Sequence, residues 1–176
     1  MNFIEKVPIP ASYWLIRGKF LAGEYPGSRD ASEARERLNA LLHAGIDTFI
    51  DLTYEDERPS YQALLTEIAK PGGDRAIHYQ RFPFPDFGTP PLASMKAALD
   101  ALDAALENRG KVYLHCVGGI GRTGMTVGCY LVRHGNSGPQ ALAKLASLYR
   151  NAAQRAVFPR SPENQRQIAF ILDWKE

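Results

Sequence analysis

A cysteine and an arginine stand near the two ends of one glycine-rich stretch, His115-Cys116-Val117-Gly118-Gly119-Ile120-Gly121-Arg122-Thr123-Gly124. A thiolate attacks electrophiles and a guanidinium grips two oxygens of an anion through a planar fork, so this spacing suits holding a phosphate and attacking it. Upstream, Lys111-Val112-Tyr113-Leu114-His115 reads as a short buried strand, and residues 123–134 read as a largely apolar helix. The stretch between them is then a strand-to-helix loop, whose backbone N–H groups face one anion while the helix N-terminus adds about half a positive charge. Gly118, Gly119 and Gly121 are expected to supply the positive or strained φ values of such a turn and to let backbone approach the ligand closely. The same field favours the thiolate form of Cys116.

Five residues between Cys116 and Arg122, a histidine before and Thr123-Gly124 after, resemble the signature loop of the protein tyrosine phosphatase superfamily, in its dual-specificity-like branch. Two other readings of the loop are weaker. A structural cysteine beside a surface arginine leaves the surrounding pattern unexplained, and a nucleotide-binding loop would need G-x4-G-K-[ST], which is absent.

The resemblance implies that Cys116 forms a phosphocysteine, while Arg122 and the backbone of Val117, Gly118, Gly119, Ile120 and Gly121 bind the phosphate. It implies that Asp86, in Pro85-Asp86-Phe87-Gly88 thirty residues before the cysteine, protonates the leaving oxygen. Aromatic neighbours are expected to shield that carboxyl from water, although an aspartate in a proline turn is also common. Thr123 would donate its hydroxyl to the sulfur and His115 would order the loop. Gln165 would position the hydrolytic water, with Gln167 and a plain surface glutamine as alternatives. Glu55, Asp56 and Glu57 form a charged loop that could brace Arg122 or simply be solvated, and Arg150, Arg155 and Arg160 could line an entrance for acidic substrates.

These residues need a scaffold, and the rest of the chain supplies an alternation of short strands and helices. Two apolar runs around Arg17-Gly18 suggest a hairpin or paired strands over residues 13–26. A helix follows over residues 30–43, ended by Gly45, then a strand at 46–52 and a short helix at 59–70 stopped by Pro71-Gly72-Gly73. Residues 76–82 read as a strand, and Leu92, Met95, Leu99, Leu102 and Leu106 repeat at helical spacing before Asn108-Arg109-Gly110. Two further helices open at Ser137-Gly138-Pro139 and at Ser161-Pro162. The order predicts an α/β fold, a central mostly parallel sheet flanked by helices, with the ligand at the C-terminal end of a central strand. We read residues 1–176 as one cysteine-dependent phosphatase domain.

Composition narrows the class. The 176 residues are 45% hydrophobic and 23% charged, as in an ordinary soluble globular chain. A net charge of +2 does not announce a nucleic-acid partner, and no run is long enough for a membrane span. Two cysteines make no disulfide framework, and residues 1–6 lack a basic start followed by an apolar run, so a reducing cytoplasm is the expected compartment. Cys129 falls about 12 Å along the helix from its start and reads as core. Scattered histidines argue against a metal, and no cofactor is expected.

The expected activity is phosphate monoester hydrolysis on phosphotyrosine or on mixed phosphotyrosine, phosphoserine and phosphothreonine proteins. Phosphoinositide or inositol phosphate hydrolysis is an alternative that the uncharged residues 117–121 disfavour. A phosphate-binding module with weak catalysis and a sulfur-transfer or arsenate-reducing enzyme are others.

Overall fold

Apolar residues alternating along short strands and recurring at helical spacing between them build a two-faced sheet. The structure, a computed structural model, describes residues 6–69 and 76–176, so the expected Pro71-Gly72-Gly73 stop and the start at residues 1–5 lie outside the described residues. Strands β1 (Ser12–Ile16), β2 (Phe20–Gly23), β3 (Thr48–Asp51), β4 (His78–Arg81) and β5 (Val112–His115) pair in the order β1-β2-β5-β3-β4. β1 and β2 form the expected antiparallel hairpin, and every other pairing is parallel.

The side-chain period of two sorts the core. Phe20, Ala22, Ile50, Val112 and Leu114 point into one cluster, while Leu21, Phe49 and Tyr113 point into another. The first is covered by α3 (Leu92–Glu107), α4 (Gly121–Arg133), α5 (Gly138–Tyr149) and α6 (Gln165–Leu172), the second by α1 (Ala31–His43) and α2 (Gln62–Ile68). Met95, Leu99 and Leu102 on α3 are fully buried, each worth about 1.5–3 kcal/mol in leaving water.

β5 is the central strand, entered through α3 on one face while the β2-to-β3 crossover runs through α1 on the other. The crevice outside its C-terminal end is where an open α/β sheet places its ligand, and Cys116 is the next residue.

Helix boundaries follow capping chemistry. Asp30 caps α1 through Ser32 and Glu33, and Ser137 with Gln140 makes a capping box on α5. The last helix departs from expectation: it is capped by Asn164, whose Oδ1 accepts from the N–H groups of Arg166 and Gln167, and not by Ser161-Pro162. A short 3-10 helix, Ala153–Ala156, was not foreseen.

Candidate active site

β5 ends at His115, and α4 begins six residues later at Gly121 with no side chain capping it. Among the described residues, no backbone N–H from Val117 to Arg122 donates a hydrogen bond. Unpaired donors inside a folded loop need an acceptor. Their carbonyls, by contrast, are tied down: Val117 O accepts from Tyr25 N at 2.9 Å, Ile120 O from Ser161 Oγ at 2.7 Å and Gly118 O from Gln154 Nε2 at 3.4 Å. The loop is held from outside by its oxygens while its nitrogens stay free for an anion.

Only one of the three glycines carries the expected φ. Gly119 has φ +69°, and a Cβ there would stand 2.3 Å from the carbonyl carbon of Gly23. Gly118 and Gly121 have no positive φ; Gly121 is instead a close approach, where a Cβ would meet Glu163 Oε2 at 2.7 Å and Gln167 Nε2 at 2.9 Å. Gly124 makes room for Ser161, whose Oγ would lie 2.0 Å from a Cβ.

Arg122 is 2% exposed, and its charge is met by Glu57 in a two-pronged pair, Nη1–Oε1 2.7 Å and Nη2–Oε2 2.9 Å. Burial favours a neutral carboxyl on Glu57, yet the bonds from Arg122 and from Tyr54 N outweigh it and hold Glu57 below the usual glutamate range. Of the charged run, Glu57 braces the arginine, whereas Glu55 and Asp56 are exposed. Arg122 Nε is buried without a partner among the described residues, as is Thr123 Oγ1. Both are hydrogen-bond donors, and the Arg122 charge interacts with Cys116.

Asp86 Oδ1 lies 3.3 Å from Arg122 Nη2, so the loop that carries Asp86 and the cysteine loop meet. The aromatic shield expected around Asp86 is absent: its side chain is 55% exposed, because Phe84 turns into the core and Phe87 turns out to solvent.

His115 is fully buried beside Cys116. Its Nδ1 contacts Cys116 O at 3.2 Å, which only a protonated Nδ1 can satisfy, so Nε2 accepts from the Tyr61 hydroxyl at 2.6 Å. Burial lowers the His115 pKa despite the nearby charge of Asp51, keeping the ring neutral. Burial likewise opposes ionisation of Asp51, but His115, the Tyr79 hydroxyl and Thr53 hold it below the usual aspartate range. With the ring neutral, the hydrogen bonds from Tyr79 (2.6 Å) and Thr53 (2.7 and 2.8 Å) are the cause that counts. A buried polar network thus fixes the ring and, through it, the Cys116 carbonyl.

The two candidate glutamines are placed differently. Gln165 is exposed, whereas Gln167 is fully buried and lies against Gly121, its Oε1 accepting from Glu163 N at 3.1 Å. Two residues are about 200° of helix, so one side chain faces the loop and the other faces water. Glu163, also over the loop, has its carboxyl pushed up by burial and by the Asp86 charge, against Arg122.

Arg150, Arg155 and Arg160 are exposed and make no hydrogen bond or ion pair with the loop; Gln154 is the residue of that stretch that reaches it. Cys129 is buried, and burial pushes its thiol up. Both cysteines are free thiols. A cavity of about 430 Å³ at the opposite end of β3 and β4, lined by His78 and Gln80, does not reach Cys116. A polar one of about 480 Å³, bordered by Arg29, Arg37 and Arg58, abuts Val117.

Over residues 10–171 the chain matches the family described as Swiss Army Knife protein, DSP-PTPase phosphatase domain. The chain belongs to this family. It is 28% identical over 166 residues to putative tyrosine phosphatase 067L of Invertebrate iridescent virus 3, covering 90% of this chain and 62% of that protein. With dual specificity protein phosphatase CDC14B of Mus musculus it shares 39% over 124 residues, 69% of this chain and 24% of that one. It thus spans less than two thirds of these relatives.

Solved structures agree on the fold. Kinase associated phosphatase with its catalytic-site cysteine changed to serine superposes with a TM-score of 0.71 at 22% identity, covering 95% of this chain and 94% of that one. Tk-PTP in its active form gives 0.67 at 21%, covering 92% and 94%.

Proposed function

We propose that this member of the DSP-PTPase family hydrolyses phosphate monoesters of phosphoproteins through a phosphocysteine on Cys116. The observation that carries the reading is the row of unbonded N–H groups from Val117 to Arg122, joined by the unpartnered Arg122 Nε, on the loop that follows the free thiol of Cys116. Such a cradle stabilises the equatorial oxygens of a transferring phosphoryl group. Cys116 sulfur attacks phosphorus, the bond to the leaving oxygen breaks, and Asp86 delivers its proton to that oxygen. Water then attacks the phosphocysteine, giving up its proton to Asp86, and the sulfur departs as thiolate, aided by the Thr123 hydroxyl. In this reading Gln167, buried against Gly121, orients that water.

Phosphoprotein is favoured over phosphoinositide by a loop without charge at residues 117–121 and by exposed aromatic rings at Tyr54 and Phe87. Tyr54 N bonds Glu57 and Phe87 follows Asp86, so both rings belong to segments that touch Arg122. Arg29 and Arg58, beside Val117, supply the acid-attracting edge once expected of Arg150, Arg155 and Arg160. A relative in Arabidopsis thaliana, 29% identical over 75% of this chain, is named both a phosphatidylinositol 3,4,5-trisphosphate 3-phosphatase and a protein tyrosine phosphatase, which keeps the lipid in the test. The two free thiols suit a reducing cytoplasm.

A panel of phosphotyrosine, phosphoserine and phosphothreonine peptides and soluble phosphoinositides, assayed with and without chelator, tests the assignment. Turnover of phosphotyrosine peptides at the highest kcat/KM, unchanged by chelator, is expected. A preference for phosphoinositides would reassign the substrate, and phosphate binding with no turnover would make the domain a binding module.

A further inference from the structure

We propose that Asn164 is a positioning residue that latches the acid loop to α6 and thereby sets where Asp86 stands; this rests on the reading of Asp86 as proton donor. The two ends of the Asn164 amide do different work. Oδ1 accepts from the N–H groups of Arg166 (3.0 Å) and Gln167 (3.1 Å), capping α6. That fixes the orientation of the amide and leaves Nδ2 to donate to Phe87 O at 3.0 Å, across 77 positions of sequence. An amide is the side chain that accepts at one end and donates at the other.

The bond lands on a backbone that needs holding. Phe87 has φ +54°, the left-handed region that bulky residues avoid, and the residue is 59% exposed, so core packing does not hold it there. Its own N–H donates to Asp86 Oδ1 at 3.2 Å, and that oxygen lies 3.3 Å from Arg122 Nη2. The turn is closed by Gly88 N on Pro85 O at 3.1 Å. The helix cap, the strained peptide, the acid and the phosphate-binding arginine therefore form one connected chain. Gln167 Nε2, 3.5 Å from Gly88 O, is a longer second tie from the same helix.

Two substitutions separate the latch from the cap. Asn164→Ser and Asn164→Asp both keep a good capping oxygen and lose the amide donor, one without adding charge. Each is expected to lower kcat on phenyl phosphate by about tenfold or more and on p-nitrophenyl phosphate, with its better leaving group, by less than about twofold, with KM unchanged. Phe87→Gly, which relaxes the left-handed residue, should restore part of the loss in the Asn164→Ser background. Amide exchange at Phe87 and Gly88 should quicken in both single variants. Equal losses on the two substrates would mean that Asn164 serves stability alone, and unchanged exchange would mean that the bond does not hold the loop. Asp86→Asn, run alongside, tells the failures apart. If it shows the leaving-group dependence and the Asn164 variants do not, the latch is wrong and the acid stands. If it shows none, the acid assignment falls and the positioning role falls with it.

Discussion

Arg122 carries a buried charge whose two terminal nitrogens are engaged by Glu57, Phe84 O and Asp86, and whose Nε has no partner among the described residues. A buried ion pair of this kind is costly to assemble and costly to break, which makes its geometry informative. Glu57 occupies the end of the fork, and the free Nε stays available to an oxyanion. Lysine offers charge without that planar edge. Arg122→Lys is therefore expected to lower kcat/KM by about 10²–10³-fold, close to the loss in Arg122→Ala, as judged by steady-state kinetics on an aryl phosphate. A lysine variant that kept most of its rate would reduce Arg122 to bulk charge. That Cys116, Arg122 and Thr123 share one strand-to-helix segment was legible in the sequence because they lie within eight residues of one another, and local spacing is what a sequence displays. Glu57 was visible only as one of three charged neighbours, since the choice among them depends on how the loop after β3 folds over β5. Tyr61, which orients His115 from 54 positions away, left no signal.

Elements place these groups by backbone contact as much as by side chains. The cysteine loop packs its Gly119 against Gly23 and Glu24, with a Cβ at 119 due to stand 2.3–2.6 Å from their backbone atoms. Backbone cannot step aside, and φ is positive as well. Gly119→Ala is expected to destabilise the fold by about 1–3 kcal/mol, measured by urea unfolding, and to cost activity beyond that. For Gly121→Ala the nearest atoms are the side-chain ends of Glu163 and Gln167, which can move, so it should cost less stability. Strand and helix order was readable from apolar periodicity, and the hairpin from Arg17-Gly18. The start of α6 was not: Ser161-Pro162 carries a capping signature, but Ser161 spends its hydroxyl on Ile120 O, and Asn164 takes over the cap. Choosing between Gln165 and Gln167 required knowing which face of α6 meets the loop. The exposure of Asp86 was misread because Phe84 and Phe87, neighbours in sequence, face opposite ways.

At the scale of the molecule, the site and the stability of the fold share ionisable groups. Burial lowers the His115 pKa from its ordinary 6.5, so the unfolded chain binds that proton more readily; its contribution is complete above about pH 6.5 and is lost as pH falls toward the folded value. Asp51 and Glu57 are held below 3.8 and 4.5, so their contributions persist above those values and are lost as pH falls through the lower folded ones. Unfolding free energy should thus decline in two stages on acidification, and His115→Gln should remove much of the first, as followed by urea unfolding across pH. An unchanged first stage in that variant would contradict its assignment to His115. The whole arrangement converges on one thiol, and the most direct measurement is rapid acid quench of wild-type protein with excess aryl phosphate, followed by peptide mass analysis. The account predicts one phosphate on Cys116, a matching burst of leaving group, and neither in Cys116→Ser, which should still bind vanadate. Turnover in Cys116→Ser at the wild-type rate, or a phosphate carried on any other residue, would contradict it.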